Sequence, residues 1–236
     1  MERKEFLKMG LSSLEFMAIA PLVIHCKTAS VDTNGTVNAN GSTNGSSPTD
    51  CVTSALGEEG PFPTHSPANY GIKDITADRK GVKLTANFTI KNKNNVCGAI
   101  EGAFVDIWHC DADGNYSEYG GLTSAHFLRG RQITDANGLV SFASIFPGWY
   151  NGRAVHIHLH IYDKSGKSLL ISQVAFPATV CDTVYTTATS FYKKGKADTS
   201  NESDNVFKNT LSTLLGTVSG NINDGYLMSH NFVINA

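Results

Sequence analysis

The sequence predicts a mainly all-β domain, a β-sandwich with long loops and one helix in the C-terminal region. Short runs in which apolar and polar residues alternate recur along the chain, as is typical of strands with one buried face. Long polar segments separate these runs, and layers of such strands bury their apolar faces against each other. The predicted strands cover residues 82–90, 102–109, 139–142, 155–162, 169–176 and 231–234.

A single helix is predicted over residues 204–215. Asp204 is a suitable N-cap because its carboxylate accepts hydrogen bonds from free backbone N–H groups, and Gly216 is typical of a helix end. The spacing of the apolar residues gives this segment one apolar stripe, made of Val206, Phe207, Leu211, Leu214 and Leu215.

Residues 1–26 have the layout of an export signal. Basic residues precede an apolar stretch that is too short to span a bilayer as a mature helix. Residues 2–8 also resemble a twin-arginine signal in which a lysine replaces the second arginine. Cys26 follows at the position of the lipidated cysteine of a bacterial lipoprotein, although His25 departs from the usual small residue. We therefore expect export to a bacterial periplasm or cell surface, with lipid anchoring through Cys26 as an open option.

The composition changes abruptly after this segment. Residues 27–50 are mostly Asn, Gly, Ser and Thr, which predicts a flexible tether. Residues 51–236 have the hydrophobic content of an ordinary globular protein, and we expect one domain with its own core. The formal net charge of -2 and the lack of basic runs argue against binding to nucleic acid.

Cysteine usage agrees with export. If Cys26 is the anchor, four cysteines remain, and they allow two disulfides in any of three pairings. We favour Cys51 with Cys110 and Cys97 with Cys181, while the other pairings stay open.

In the segment 154–161, aliphatic and histidine side chains alternate from Val155 onwards, so that His156, His158 and His160 share one face of a strand. With a rise of about 3.3 Å per residue, the Cα atoms of the first two histidines are roughly 7 Å apart, and their rings can converge on one ion. A metal site is therefore the first hypothesis. The alternative is an outward-facing strand surface that happens to be rich in histidine.

Two tyrosines lie on loops near this strand. Tyr150 ends a Phe-Pro-Gly-Trp-Tyr turn shortly before the first histidine, and Tyr116 follows the polar turn 111–115. A phenol gives up its proton to a metal when the ion is a strong Lewis acid, which favours ferric iron over zinc or calcium. Tyr119, three residues after Tyr116, is the alternative phenolate. Two imidazoles and two phenolates would leave a position open for water or substrate.

Four segments of the chain resemble the intradiol ring-cleavage dioxygenases, in the order in which that family has them. They are VDIWHCDADGNYS at 105–117, FLRGRQITDANG at 127–138, IFPGWY at 145–150 and RAVHIH at 153–158. Shorter similarities, EGPF at 59–62 and SQVAF at 172–176, extend the resemblance at both ends.

The resemblance implies that the protein binds a mononuclear non-haem Fe(III). Tyr150 would be the labile axial ligand and His156 the other axial ligand, with the remaining two ligands equatorial. The implied ligand set is Tyr116, Tyr150, His156 and His158.

The resemblance also implies roles for residues around the ion. Arg153 matches an arginine that stabilises bound catecholate, and Gln173 matches a glutamine beside the ligands. The alternative for Arg153 is a surface residue of a turn, and the alternative for Gln173 is a polar residue on an edge strand, neither with a role at the site. Pro61 and Phe62 are expected to form a wall of the substrate pocket, whereas His160 matches no ligand of the family.

The implied reaction is cleavage of a catechol by O2 between its two hydroxyl-bearing carbons, which gives a cis,cis-muconate-type diacid without an external reductant. The tether stands where many cytoplasmic members have a helical region, and the link from Tyr150 to His156 is short. We therefore expect an open site that accepts catechol and substituted or plant-derived catechols. Catechol and O2 are the expected partners, and the oligomeric state stays open.

Two other classes of function stay open. One is a non-catalytic, exported β-sandwich lipoprotein that binds ligands at the cell surface and keeps a vestigial metal site. The other uses the histidine cluster to bind copper or zinc for oxidation or hydrolysis. Ligation by tyrosine distinguishes these classes, because ferric tyrosinate absorbs visible light and a zinc protein does not.

Overall fold

The computed structural model describes residues 51–236. The predicted export signal at 1–26, including lipidation of Cys26, and the predicted tether at 27–50 lie outside the described residues. Nine strands lie within the described range: β1 (Lys83–Asn92), β2 (Gly98–Ala99), β3 (Phe104–Trp108), β4 (Arg129–Ile133), β5 (Leu139–Ile145), β6 (His156–Tyr162), β7 (Ser168–Ala175), β8 (Thr217–Asn221) and β9 (Gly225–Ile234).

The strands form two sheets. In the first, β1 pairs antiparallel with β2 and β5 on one side and parallel with β9 on the other, and β8 lies beyond β9. The second has the order β4-β3-β6-β7, with every pair antiparallel. Apolar side chains of both sheets share one buried core, to which Phe88 and Phe232 contribute from the first sheet and Val105 and Ile157 from the second. The predicted mainly all-β sandwich is confirmed.

Most predicted strands correspond to observed ones, but β2, β4 and β8 were missed and β9 begins at Gly225, well before the predicted 231. β4 reads RGRQI and β8 reads TVSGN, so neither shows the apolar alternation of a half-buried strand. In β4 the buried side chain is Arg129, whose guanidinium donates to the hydroxyl and the carbonyl of Ser117. Its burial depends on polar partners from other segments, which sequence periodicity does not reveal.

The predicted continuous helix over 204–215 is wrong. The chain forms a 3-10 turn at Phe207–Asn209 and a single turn of α-helix at Leu211–Leu214, because Thr210 between them has φ -126° and breaks the helix. Asp204 does accept hydrogen bonds from the backbone N–H groups of Val206 and Phe207, as a cap does.

A longer helix, α1 (Ala178–Thr187), was missed. Its sequence, ATVCDTVYTT, is rich in β-branched residues, which are weak helix formers. Cys181, Val184 and Tyr185 on one side of this helix are buried in the main core. Tertiary packing therefore overrides local propensity here. The other α-helical segment of the described chain is the single turn Leu211–Leu214, which we call α2.

The predicted disulfide pairing is also wrong. The described chain has a disulfide between Cys51 and Cys97, whose Cα atoms are 5.8 Å apart. Cys110 and Cys181 carry free, buried thiols within residues 51–236. Cys110 lies at the end of β3 in an aromatic cluster, and Cys181 lies on α1 in the main core, so each is enclosed by its own apolar surroundings.

No helix within residues 51–236 has the length and apolar character needed to cross a bilayer.

Loss of the disulfide should destabilise the domain without changing its fold. The bond joins residues that are 46 positions apart, and removing a native disulfide that closes a loop of this length costs about 2–4 kcal/mol. We expect the double variant Cys51→Ser/Cys97→Ser to show this loss in urea unfolding. Reductant should destabilise the wild type and leave the double variant unchanged. A wild type that is insensitive to reductant would contradict the pairing.

Candidate metal centre

His156 and His158 lie on β6 with their rings on the same side of the second sheet. Their Nε2 atoms are 2.9 Å apart. Nitrogen ligands lie about 2.1 Å from a transition-metal ion, so two of them at a right angle are about 3 Å apart. The two imidazoles therefore have the separation expected of neighbouring ligands on a single ion.

The histidine face is buried and does not point into solvent. His156, His158 and His160 all have side chains within the protein, because a segment formed by residues 57–64 lies across this face of the sheet. Gly60 lies so close to His158 that a Cβ atom in its place would be 3.0 Å from the ring carbon Cε1. The alternative, an outward-facing strand surface that happens to be rich in histidine, is therefore wrong, and the polar face forms a second buried layer.

The histidines are in the state that binds a metal. Nδ1 of His156 donates to the carbonyl of Ala154 at 2.6 Å, which leaves the lone pair on Nε2. Burial lowers the pKa of His156 to about 3, and the neighbouring charge of Arg153 acts in the same direction. Burial also lowers the pKa of His158 well below its ordinary value. Both rings are therefore neutral at neutral pH.

Two tyrosines complete this cluster. The hydroxyl of Tyr150 is 3.4 Å from Nε2 of His156. The ring of Tyr116 is centred 5.6 Å from that of Tyr150 and 6.1 Å from that of His158. These four are the residues that the resemblance implied as ligands, and the structure brings all of them together.

The hydroxyl of Tyr116 is buried and has no hydrogen-bond partner within residues 51–236. A buried hydroxyl without a partner is costly, and a metal ion between the tyrosines and the histidines would satisfy it. Burial raises the pKa of Tyr116 and of Tyr150, so a strongly Lewis-acidic ion is needed to bind them as phenolates. The residues present therefore fit a ferric ion.

Other side chains that could compete for the metal have partners elsewhere. The hydroxyl of Tyr119 donates to the carbonyl of Pro63 at 2.5 Å. Both ring nitrogens of His109 are engaged, Nδ1 with the carbonyl of Cys110 and Nε2 with the hydroxyl of Ser144.

His160 lies one step beyond the cluster on β6. Its ring bonds to the hydroxyls of Tyr162 and Ser168, and its Nδ1 is 3.2 Å from a carboxylate oxygen of Glu59. In the described part of the chain, no group of three or more His, Cys, Asp or Glu side chains is arranged to hold a metal.

Arg153 joins the cluster from the loop before β6. Its Nη2 donates to Oε1 of Gln173 at 2.6 Å, and its Nη1 lies 3.4 Å from the hydroxyl of Tyr150. Gln173 is fully buried on β7, where it pairs in register with His158 and donates to the carbonyl of Glu58. The side chain of Arg153 is largely buried, unlike that of a surface arginine in a turn. Gln173 does lie on an edge strand, β7, but its side chain is enclosed there.

Asp204 is the residue of this region that sequence reasoning missed. Its carboxylate is fully buried, and Oδ2 accepts from Nε of Arg153 at 2.8 Å. Burial acts to raise its pKa, but hydrogen bonds from Arg153 and Ala154 hold that pKa below the ordinary value, so the group is ionised. The sequence signal at this residue was a helix cap, and its ion-pair partner lies 51 positions away.

The two predicted wall residues differ in position. Phe62 stacks on Tyr116 with ring centres 4.5 Å apart, and it meets Tyr150 edge-on at 6.0 Å. Pro61 is exposed. A cavity of about 460 Å³ opens beside Phe62 and Tyr116 and extends past Gly120 and Gly121. A cavity of about 600 Å³ elsewhere is lined by α1 and the turn between β8 and β9, away from these residues.

Comparison with known proteins gives the family. The family model Dioxygenase_C, described as a dioxygenase, matches residues 63–210. A curated relative, chlorocatechol 1,2-dioxygenase of Rhodococcus opacus, is 29% identical over 139 residues, which are 50% of this chain and 52% of the relative. The chain thus spans about half the length of that curated relative.

Comparison with solved structures supports the same family. An intradiol ring-cleavage dioxygenase from Tetranychus urticae superposes with a TM-score of 0.70 at 27% identity, over 78% of this chain and 95% of that one. The 3-chlorocatechol 1,2-dioxygenase of Rhodococcus opacus 1CP superposes with a TM-score of 0.56 at 20% identity, over 77% and 72%, and shows the shared fold. The chain therefore belongs to the intradiol ring-cleavage dioxygenases.

Proposed function

We propose that this protein is a non-haem Fe(III)-dependent intradiol dioxygenase that cleaves catechol-type diols with O2 to cis,cis-muconate-type diacids. The observation that carries the proposal is the convergence of two neutral imidazoles with two buried phenols, of which Tyr116 has no other partner within residues 51–236. Membership of the family supports ring cleavage of catechols in general.

Tyr116, Tyr150, His156 and His158 are the side chains that would hold the ion. When bound there, ferric iron supplies the Lewis acidity that makes catechol hydroxyls acidic and the ring reactive towards O2. The phenolates add negative charge and the imidazoles add none, so the four side chains together offset most of the ionic charge.

Tyr150 is the side chain best placed to take a proton from the substrate. Its hydroxyl lies 3.4 Å from Nη1 of Arg153, and that positive charge favours the phenolate against the effect of burial on its pKa. Tyr116 lies deeper and receives no such hydrogen bond in the described chain. The oxygen of Tyr150 could therefore take one proton from an incoming catechol, while Tyr116 would keep holding the ion.

Arg153 and Gln173 serve the bound substrate. The guanidinium of Arg153 places a positive charge beside Tyr150, where it would stabilise a bound catecholate. Gln173 holds one edge of the guanidinium by accepting a hydrogen bond from Nη2. Phe62 stacks on the ring of Tyr116 and forms an aromatic wall of the cavity beside it. A Cβ atom at Gly120 or Gly121 would meet nothing within 4 Å, so the cavity beside Phe62 and Tyr116 is open at this end. That openness supports the acceptance of substituted catechols.

We also propose that the protein is exported. The disulfide between Cys51 and Cys97 supports this, because such bonds persist in oxidising compartments and are rare in the cytosol.

Product analysis tests the proposed reaction. Iron-loaded protein given catechol under ¹⁸O2 should release muconate that carries two labelled oxygen atoms. Tyr150→Phe should keep the fold but lower kcat by on the order of 100-fold or more, because it removes a positioned proton acceptor. Release of a semialdehyde from cleavage beside the diol, or an unchanged kcat in Tyr150→Phe, would contradict the proposal.

A matched pair of variants tests the ligand assignment. Tyr116→Phe removes a phenolate. Loss of a residue that only hydrogen-bonds to a metal ligand lowers metal affinity about 10–100-fold, and loss of a ligand itself should lower iron affinity by at least as much. Tyr119→Phe should keep the iron, since its hydroxyl is bonded to Pro63. Iron content after ferric reconstitution is the measurement. Equal iron content in the two variants would refute the choice of Tyr116.

A further inference from the structure

We propose that Asp204 is a positioning residue of the metal centre, whose carboxylate fixes the direction of Arg153 and, through the peptide of Ala154, the orientation of His156. This inference rests on the proposed function, which it deepens by adding a residue outside the ligand set and outside the resemblance.

The carboxylate of Asp204 connects two parts of the protein. Oδ1 accepts from the backbone N–H groups of Val206 at 2.8 Å and Phe207 at 3.1 Å, which anchors the group to its own loop. Oδ2 accepts from Nε of Arg153 and from the N–H of Ala154, both at 2.8 Å. With no exposure to water, the carboxylate has a fixed position from which it can orient its partners.

The direction of Arg153 follows from these contacts. A guanidinium is planar and carries its donors in a fixed fork, so restraints on two edges determine where the third points. Asp204 binds the Nε edge, and Gln173 accepts from Nη2 at 2.6 Å. Nη1 is thereby directed at the hydroxyl of Tyr150. Loss of the Nε bond would leave the guanidinium free to rotate away from that oxygen.

The peptide of Ala154 carries the same restraint to a ligand. Its N–H donates to Asp204, and its carbonyl accepts from Nδ1 of His156 at 2.6 Å. That second bond sets which nitrogen of the ring is protonated and where Nε2 points. Two hydrogen bonds through the peptide of Ala154 therefore connect the carboxylate of Asp204 to the ring of His156.

Charge gives Asp204 a second effect on the same residues. The carboxylate of Asp204 forms an ion pair with the guanidinium of Arg153, with Oδ2 2.8 Å from Nε. Without the carboxylate, an uncompensated guanidinium would lie beside the position of a trivalent cation. The ion pair between Asp204 and Arg153 would thus keep a guanidinium near the substrate, while the carboxylate offsets its repulsion of a bound metal ion.

The test compares two isosteric variants, Asp204→Asn and Asp106→Asn. Asp106 is a matched control because it is also a buried carboxylate bonded to an arginine, Arg131, whose Nη2 lies 2.7 Å away. Asp106 makes no hydrogen bond to Tyr150, Arg153 or the two histidines. Both variants are expected to lose thermal stability. The dissociation constant for catechol, titrated anaerobically into iron-loaded protein, should rise about tenfold or more in Asp204→Asn alone.

A measurement on iron-free protein separates this inference from the proposed function. In ¹⁵N-labelled wild type, the Nε–H signal of Arg153, assigned with Arg153→Lys, should exchange slowly with water because Asp204 accepts it. Exchange should be about tenfold faster or more in Asp204→Asn and unchanged in Asp106→Asn. If the exchange rates differ in this way but the wild type neither binds iron nor cleaves catechol, the proposed function is wrong, while the positioning of Arg153 by Asp204 is confirmed.

A double-mutant cycle with Arg153→Gln tests whether Asp204 acts through the guanidinium. The losses of catechol affinity in Asp204→Asn and Arg153→Gln should not add in the double variant. Full additivity, or equal losses in the Asp204 and Asp106 variants, would overturn the inference. Should Asp204→Asn fail to fold, Asp204→Glu keeps the charge but displaces the carboxylate, and an unchanged catechol affinity in that variant would also overturn it.

Discussion

The burial of the histidine face of β6 is the constraint on which the rest of the structure depends. Alternation along the strand puts Ile157 and Leu159 into the sandwich core and His156 and His158 into a second buried layer. Imidazoles in such surroundings are stable when they are neutral and have polar partners. Burial thus produces both the protonation state and the convergence that a metal centre requires.

The covering segment, residues 57–64, is held by side chains of the second sheet. Gln173 donates to the carbonyl of Glu58, and Arg129 donates to the carbonyl of Phe62 and the hydroxyl of Thr64. Each of these donors is itself buried. The segment that encloses the histidines is therefore attached to the same sheet that presents them, and the aromatic wall at Phe62 takes its position from that attachment.

Sequence reasoning succeeded where the determinants are local. The alternation of β6 placed its histidines on one face, and the short link before this strand placed Tyr150 near them. The resemblance to the family, not the spacing, selected Tyr116 over Tyr119. It failed where a partner is distant. The charged strand β4, the disulfide of Cys51 and the role of Asp204 beside Arg153 each depend on contacts across the fold that no periodicity encodes. The missed α1 has weak local propensity and is held by packing.

In the proposed function, two tyrosines and two histidines form one ferric site that binds catechol. Its most direct test is the visible absorption spectrum and iron content of purified protein, before and after anaerobic addition of catechol. We expect a broad red-brown band in the iron-loaded protein that shifts to longer wavelength when catechol binds. A protein that stays colourless after ferric reconstitution, or a band that catechol leaves unchanged, would contradict it.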